Sequence, residues 1–387
     1  MESLNTPWCL YVSARCILIS IFALSVLMAS TDADMSMYRS LVEVDHDGNP
    51  SWLSAGDRTL VSQIKNGIAQ PNAIVAMDGS GQYKTITDGI NSYPNNHQGR
   101  YIIHVKAGIY KEYVTVDQSK KNILLYGDGP NRTIITGNKS FTEGIQMPLT
   151  ATFSTFAENF TAISIVFENT AGPKGGQAVA LRVKGDLSSF YQCTFRGYQD
   201  TLYVDQGRQF YRNCVISGTI DFICGHSTTL IQNSMILVRK PASGQYNVVV
   251  ADGPYQNNNL RTGIVIDHCS ILPDYDFAPY TSTSKTYLAR PWRPYSTAIF
   301  INNFIGNFIQ PDGYTIWREV QPNNENVYFA EFGNTGPGAN AKNRVYWAKG
   351  LITRDEAARF TAEPWIQAST WLPSAGIPYN PGFETLS

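Results

Sequence analysis

Charge is scarce in this chain of 387 residues: 16% of it is Asp, Glu, Lys or Arg, and the formal net charge is -1. A chain so balanced has no general electrostatic footprint for nucleic acid or anionic lipid, so a polyanionic ligand has to be met by local groups. Metal and nucleophile motifs are missing as well. There is no Cys-x-x-Cys pair, no His-Glu-x-x-His and no Gly-x-Ser-x-Gly elbow, which argues against a zinc site and against a serine esterase. The five histidines (His46, His97, His104, His226, His268) are scattered and read as ordinary surface or core residues. Of the six cysteines, Cys9 and Cys16 lie in or before an apolar run. Cys193, Cys214, Cys224 and Cys269 remain, and their three full pairings stay open.

That apolar run, Cys16 to Ala29, follows Arg15 and is followed by small residues at Ala29, Ser30 and Ala33. It is short for a membrane span and suits a signal peptide over 1–33, with an uncleaved signal anchor as the alternative. Secretion agrees with sequons at Asn131, Asn138 and Asn159. Residues 34–69 are polar and irregular and read as a linker. From Gln70 onward the chain is rich in Tyr, Phe, Val, Ile, Thr, Gly and Asn, a β-forming, turn-rich composition.

Short strands are expected at Pro71–Ala76, Tyr101–Val105 and Asn122–Tyr126, with a short helix over Thr85–Asn91. Then a motif recurs: Phe160–Phe167, Phe190–Phe195, Phe210–Ile216, Leu230–Ile236 and Val265–Ile271. Each is a short strand with a polar or small residue before its last apolar positions. A strand-and-turn period of 20 to 25 residues, too short and too β-branched for helical hairpins, predicts a solenoid, and a parallel β-helix fits best. The C-terminal part is aromatic and turn-rich. A helix is expected over Asp355–Phe360, and Trp347, Trp365 and Trp371 are expected to cover the open end of the stack.

Within the repeats lies a polar column. Gln177, Gln199 and Asp221 are each twenty-two residues apart, and Asp200 adjoins Gln199. Residues one coil apart sit on neighbouring rungs about 4.8 Å apart. The interval therefore predicts Gln177, Gln199 and Asp221 in line over three rungs, with Asp200 at the edge of the same site. Two carboxylates that close do not both ionise at their free values. One is raised and serves as a general acid, and the other stays ionised as base or nucleophile. Side-chain amides nearby can donate to a developing oxyanion. A guanidinium such as Arg290 can hold the ionised carboxylate, and Trp292 offers a flat face to a sugar ring. A single Asp in such a fold is more often a ladder or turn residue; it is the combination at one period that points to acyl transfer or hydrolysis on a carbohydrate. Tyr198, Cys224 and the repeat aromatics read as packing groups.

Five ordered segments carry a resemblance: Gly108-Ile-Tyr-Lys-Glu112, Gln177-Ala-Val-Ala-Leu181, Gly197-Tyr-Gln-Asp-Thr-Leu202, Gly218-Thr-Ile-Asp-Phe-Ile223 and Arg290-Pro-Trp292. They resemble the plant pectin methylesterases, or pectinesterases, over nearly everything from Gln70 to Phe383. The resemblance implies an all-β, right-handed, single-stranded parallel β-helix of the pectin-lyase-like type, with a few short helices, over 70–387. It implies hydrolysis of the C6 methyl esters of pectin (homogalacturonan) in the cell wall. Asp221 would be the nucleophile, Asp200 the acid and then the base, and Gln177 and Gln199 the oxyanion donors. Arg290 would orient Asp221, and Gln177, Arg290 and Trp292 would contact the polymer. No metal or cofactor is implied. The partners would be pectin and a separate pectinesterase-inhibitor protein, with no nucleic acid, and the chain would act as a monomer.

Several positions depart from the family pattern. Ala289 stands where a Gly precedes the Arg-Pro-Trp, and Met147 where relatives place a substrate-contacting Thr. Val250-Ala-Asp-Gly-Pro254 replaces Thr-Ala-Gln-Gly-Arg, and Cys224-Gly-His226 replaces Phe-Gly-Asn. Ser234 occupies the position of a cysteine that relatives pair with the one at Cys214. The region before Gln70 is expected to hold no full inhibitor-like pro-domain, only a remnant around Asp47–Arg58. Two other readings compete with the esterase. One is a non-catalytic wall-polysaccharide-binding protein on the same scaffold. The other is a polygalacturonase or lyase, against which the paired amides argue.

Overall fold

The computed structural model describes residues 70–257, 261–319 and 321–383. The expected signal segment, linker and pro-region remnant lie outside them. The described chain winds as a right-handed parallel β-helix with three faces. Eleven strands form a central sheet from Ala73–Val75 to Gly350–Leu351, and eight form a second sheet from Gly108–Lys111 to Phe304–Ile305. Seven form a third, from Val114–Val116 to Thr286–Ala289, which is called here the cleft sheet. All pairings between these strands are parallel, each strand bonding to its counterpart one coil away. One coil reads Ser188–Tyr191, Thr194–Arg196, Leu202–Val204, and then Arg208–Arg212 begins the next.

The repeated motifs are corners rather than single strands. Phe190–Phe195 straddles the end of one strand and the start of another, with Gln192 between them at φ 52°. Ser164, Asn213, Asn233 and His268 occupy the same left-handed corner in their coils, at φ 58°, 53°, 49° and 53°. A short polar side chain is the cheapest L-residue there, which explains why a polar residue interrupts each apolar run.

Like residues stack inside the prism. Phe190 lies on Tyr211 with centroids 4.9 Å apart and planes 7° apart, and Phe167 on Phe195 at 5.7 Å and 11°. The residue after each corner points inward and caps its neighbour. The Cys214 backbone N–H donates to Ser234 Oγ at 3.1 Å, Ser234 N–H to Cys269 Sγ at 3.4 Å, and Cys269 N–H to Asn303 Oδ1 at 2.8 Å. Ser234 is thus one rung of a hydrogen-bonded ladder. The open pairing question closes without a bridge: Cys193, Cys214, Cys224 and Cys269 are all buried free thiols.

The helix expected near Thr85 runs Ile86–Asn91, with Thr85 as N-cap accepting from the Asp88 N–H. Its Ile86 and Ile90 join the interior core at the N-terminal end. Trp347 packs on Tyr314 and Phe329 at the other end, as expected. Trp365 and Trp371 do not close that end. Trp365, in the short helix Ala362–Ile366, and Trp371, the N-cap of Leu372–Ala375, lie along the outer face of the central sheet, where Trp365 Nε1–H donates to the Thr229 carbonyl at 3.0 Å. The expected C-terminal helix runs Arg354–Ala358 behind a Thr353–Glu356 capping box.

Candidate active site

The strand pairings fix which polar residues meet. Gln177 and Gln199 form a parallel bridge, as the twenty-two-residue interval predicts. The register then tightens by one residue. Leu181 pairs with Leu202, and Leu202 with Ile223, a 21-residue offset. The Asp200 N–H bonds the Ile220 carbonyl at 3.0 Å, so Asp200, not Gln199, stands opposite Asp221. The expected straight column of three is really two pairs, amide over amide and carboxylate over carboxylate.

Both carboxylates sit on left-handed residues, Asp200 at φ 60° and Asp221 at φ 51°, in the turns entering Leu202–Val204 and Ile223–Gly225. The two turns interlock. A Cβ on Gly218 would lie 2.3 Å from Phe222 Cβ and 2.7 Å from both Thr201 Oγ1 and the Tyr198 carbonyl oxygen. One on Gly197 would meet Thr201 Oγ1 at 2.7 Å. Thr201 Oγ1 itself bonds the Tyr198 and Ser217 carbonyls at 3.1 Å. These contacts account for Gly-x-x-Asp occurring at the head of both motifs.

The two acids live in unequal surroundings. Asp221 receives a two-pronged clamp from Arg290, Nε to Oδ1 at 2.7 Å and Nη2 to Oδ2 at 2.5 Å, with both side chains nearly buried. Arg290 Nη1 also donates to Tyr246 Oη at 3.0 Å, and the guanidinium lies 4.3 Å from the Trp317 ring centroid. Burial works against the Arg290 charge; the Asp221 carboxylate outweighs it and raises the arginine above its usual value. Asp200 is 5% exposed and forms no ion pair among the described residues. Burial, then the neighbouring Asp221 carboxylate, push it well above the ordinary carboxylate range, against a smaller pull from Arg290.

The side-chain amides of Gln177 and Gln199 are partly exposed, and neither has a side-chain hydrogen bond among the described residues. The floor beside them is apolar: Ala151, Val179, Tyr203, Cys224 and Ala251, with Met147, Trp292 and Trp317 against it. Trp292 lies over Gly253, where a Cβ would come within 2.8 Å of its own Cβ. Its ring centroid is 6.5 Å from those of Tyr203 and Trp317. Cys224 is a buried thiol raised well above its usual value by burial and then by Asp200, so it is a packing group and no thiolate. Ala289 is buried within its strand opposite Val250. Met147 opens a short 3-10 turn on the floor, while Thr150 is taken up in bonds to the Met147 carbonyl and the Val179 N–H.

All six residues singled out from the sequence thus surround one cleft. Tyr246 and Trp317 were missed. Each comes from a loop with no repeat or spacing to mark it, and only the three-dimensional path of Arg290 ties them in.

Comparison with known proteins decides the family: the Pectinesterase family model matches residues 72–369. The chain belongs to the pectinesterase family. It is 42% identical to Pectinesterase 4 of Arabidopsis thaliana over 362 residues, 91% of this chain and 61% of that protein. It is 45% identical over 325 residues to a Pectinesterase of Petunia integrifolia, covering 83% of this chain and 86% of that one. The solved pectin methylesterase from carrot superposes with a TM-score of 0.79 at 41% identity, covering 82% of this chain and 99% of that one. The chain spans about three fifths of the length of the Arabidopsis pectinesterase.

Proposed function

We propose that the protein is a pectin methylesterase that hydrolyses C6 methyl esters of homogalacturonan in the plant cell wall, releasing methanol and leaving free carboxylates. The asymmetry of the acid pair carries this reading: Asp221 is clamped by Arg290 at both oxygens, while buried Asp200 is raised and unpaired. One group is kept as a carboxylate and the other as a carboxylic acid, which is the division of labour that ester cleavage through an acyl-enzyme needs.

In the first half, Asp221 attacks the ester carbonyl carbon. The carbonyl oxygen becomes an oxyanion, met by the side-chain amides of Gln177 and Gln199. Collapse breaks the bond to the methoxy oxygen, which takes the Asp200 proton and leaves as methanol. In the second half, Asp200, now a carboxylate, removes a proton from water. The resulting hydroxide attacks the same carbonyl, and the bond to Asp221 breaks. Asp221 returns as a carboxylate, Asp200 as an acid, and the product is the galacturonate acid. Arg290 orients Asp221 throughout, and Trp292 gives a sugar ring a flat face. The reading extends to secretion into the wall, action as a monomer, and control by a separate inhibitor protein.

The test is methanol release from highly methylated pectin by the purified chain and by Asp221→Asn. We expect release by the wild type and a loss of about 10³-fold or more in the variant. Unchanged release by Asp221→Asn would remove the nucleophile assignment. Reducing ends formed without methanol would replace the esterase with a glycosidase. Pectin binding by folded wild type without either product would favour the non-catalytic binding protein.

A further inference from the structure

Three sequons play no part in the chemistry proposed above: Asn131-Arg-Thr133, Asn138-Lys-Ser140 and Asn159-Phe-Thr161. The pattern treats them alike, and the fold does not. Asn131 and Asn138 stand at the two ends of one strand of the second sheet, Thr133–Gly137. Asn131 lies in the turn before it, with left-handed backbone at φ 67°, and Asn138 directly follows it. Both are exposed. In each the side-chain oxygen is anchored. Asn131 Oδ1 accepts from Arg196 Nη2 at 3.2 Å, and Asn138 Oδ1 from Tyr113 Oη at 3.0 Å. The same Tyr113 Oη accepts the Asn138 and Lys139 N–H groups at 3.0 and 3.2 Å, so it holds the turn as well as the side chain. Neither side-chain nitrogen, of Asn131 or of Asn138, has a hydrogen bond among the described residues.

Asn159 is the reverse case. It is half-buried at the corner between the cleft and central sheets, one coil after Asn122 in the same left-handed conformation, at φ 57° and 59°. Here the nitrogen is taken: Nδ2 donates to Asn122 Oδ1 at 2.8 Å, while Oδ1 accepts from Arg100 Nη2 at 3.4 Å. Arg100 Nη1 reaches on to the Ala375 carbonyl at 3.4 Å. The Asn159 side chain therefore lies in the seam where the helix Leu372–Ala375 meets the central sheet. The next residue, Phe160, is wholly buried, with its ring 5.7 Å from that of Phe153 and 5.9 Å from that of Phe190. A sugar on Asn159 Nδ2 would crowd Asn122 and Arg100 and part a seam that the fold closes.

We propose that Asn131 and Asn138 carry N-linked oligosaccharides in the folded protein and that Asn159 does not. The bond forms between the Asn Nδ2 and the anomeric carbon of an oligosaccharide delivered by a lipid-linked diphosphate donor. The bond from that carbon to the diphosphate oxygen breaks, the amide gives up one proton, and the lipid diphosphate leaves; nothing is oxidised or reduced. The side-chain oxygens keep their lone pairs, so the bonds from Arg196 and Tyr113 survive the modification. Transfer to an unfolded chain meets no obstacle in the burial of Thr133 and Ser140. Folding makes the distinction at Asn159: a chain glycosylated there cannot close the Asn122–Asn159 rung. Two bulky, hydrophilic chains on one strand cover the outer face of the second sheet, none of whose strands carries a residue of the acid site. The assignment rests on the secretion proposed above, the route on which such donors act.

The full chain is expressed in plant cells, once from its own N-terminus and once behind a proven secretory leader. Natively folded protein, checked by circular dichroism, is treated in heavy-oxygen water with an amidase that releases N-linked sugars. Each occupied Asn becomes a labelled Asp, and peptide mass mapping reads the three positions. Label is expected at Asn131 and at Asn138 and none at Asn159. Asn131→Gln and Asn138→Gln should each remove the mass of one oligosaccharide from the intact protein, and the double variant should match the fully deglycosylated chain. Asn159→Gln should remove no sugar and should lower the denaturant midpoint, because the rung to Asn122 and the contact with Arg100 go with it. Folded protein secreted from the borrowed leader that lacks the sugar at Asn131 or at Asn138, or carries one at Asn159, overturns the assignment. Sites filled behind the borrowed leader, with the chain's own N-terminus yielding unglycosylated protein inside the cell, would refute the secretion reading and leave both sites standing.

Discussion

Two parts of each coil use the same backbone device for opposite ends. At the corner between the central and second sheets, Ser164, Gln192, Asn213, Asn233 and His268 hold the left-handed conformation one coil after another. Polar groups there turn mostly to their neighbours: Ser164 Oγ donates to Gln192 Oε1 at 3.2 Å, and Asn213 Nδ2 to Tyr191 Oη at 3.3 Å, with Gln192 Nε2 left over. At the entrance to the cleft sheet, Asp200 and Asp221 hold the same conformation one coil apart. There the groups are not consumed evenly. One carboxyl takes both prongs of Arg290, and the other is buried beside it with no ion pair of its own among the described residues. A left-handed residue in a β-helix is therefore not in itself a sign of chemistry. What separates the site from the corner is that one of the two neighbours is clamped at both oxygens by Arg290 while the other is buried and raised well above the ordinary carboxylate range.

That contrast can be broken at several points. The largest effect is expected from Asp200→Asn, which keeps the shape and removes the transferable proton. Methanol release should fall by about 10²–10⁴-fold while circular dichroism stays native. A variant as active as wild type would make Asp200 one more corner residue. Next comes Arg290→Ala, which leaves Asp221 buried and unpaired. Breaking such a pair costs about 3–5 kcal/mol, to be read by denaturant unfolding, and activity should be lost with it. Arg290→Lys, which keeps the charge and loses the fork, should fall between the two.

At the corner the order reverses. Asn213→Ala removes the short polar side chain that tolerates the left-handed conformation, and its bond to Tyr191 Oη, and should cost about 1–2 kcal/mol of stability with kcat unchanged. A drop in kcat without a drop in stability would erase the distinction between the regions. The smallest and most pH-dependent effect belongs to Asp252, buried at the end of a cleft strand. Its Oδ2 accepts from the Thr297 N–H at 2.6 Å and its Oδ1 has no partner. Burial raises it well above the ordinary carboxylate range. A carboxyl raised on folding binds its proton more tightly in the native state. Its contribution to stability is full below the unfolded value, about 3.9, and is lost as pH rises toward the folded one. Asp252→Asn should therefore melt higher than wild type at neutral pH, the advantage shrinking as pH is lowered toward about 4. An advantage that grows in acid would reverse the sign.

The solenoid was legible because it rests on repetition: the same aromatic and β-branched run returns every coil, and stacking needs little else. Finer placement was not legible, for reasons particular residues make plain. Phe190–Phe195 reads as one strand because the bend at Gln192 changes φ without changing the apolar pattern. The interval of twenty-two joined Gln177 to Gln199 correctly and then Gln199 to Asp221 wrongly. The repeat of Gly197-x-x-Asp200 in Gly218-x-x-Asp221 was the better ruler, because the glycines mark where the turns interlock. Tyr246 and Trp317 reach the site through loops, where no period applies. Trp365 and Trp371 looked like a lid for an apolar end, but the exposed flank of the central sheet offers a longer apolar surface to cover.

The free thiols at Cys193, Cys214, Cys224 and Cys269 mean that the described coils are held only by rung-to-rung contacts, with no covalent tie between them. Such a stack behaves as a zipper, opening one interface at a time from either tip. The Asp200–Asp221 step lies well inside it: cleft strands Val114–Val116, Phe153–Thr155 and Leu181–Val183 come before, and Asn247–Asp252 and Thr286–Ala289 after. Unravelling from the tips must cross several closed interfaces before the two acids part. Arg290, however, directly follows the last of those cleft strands, Thr286–Ala289. Chain around Ile309 and Tyr314 still pairs over that strand, and fraying that passed this cover would release Asp221 from its counterion while the coils bearing the two acids were still closed.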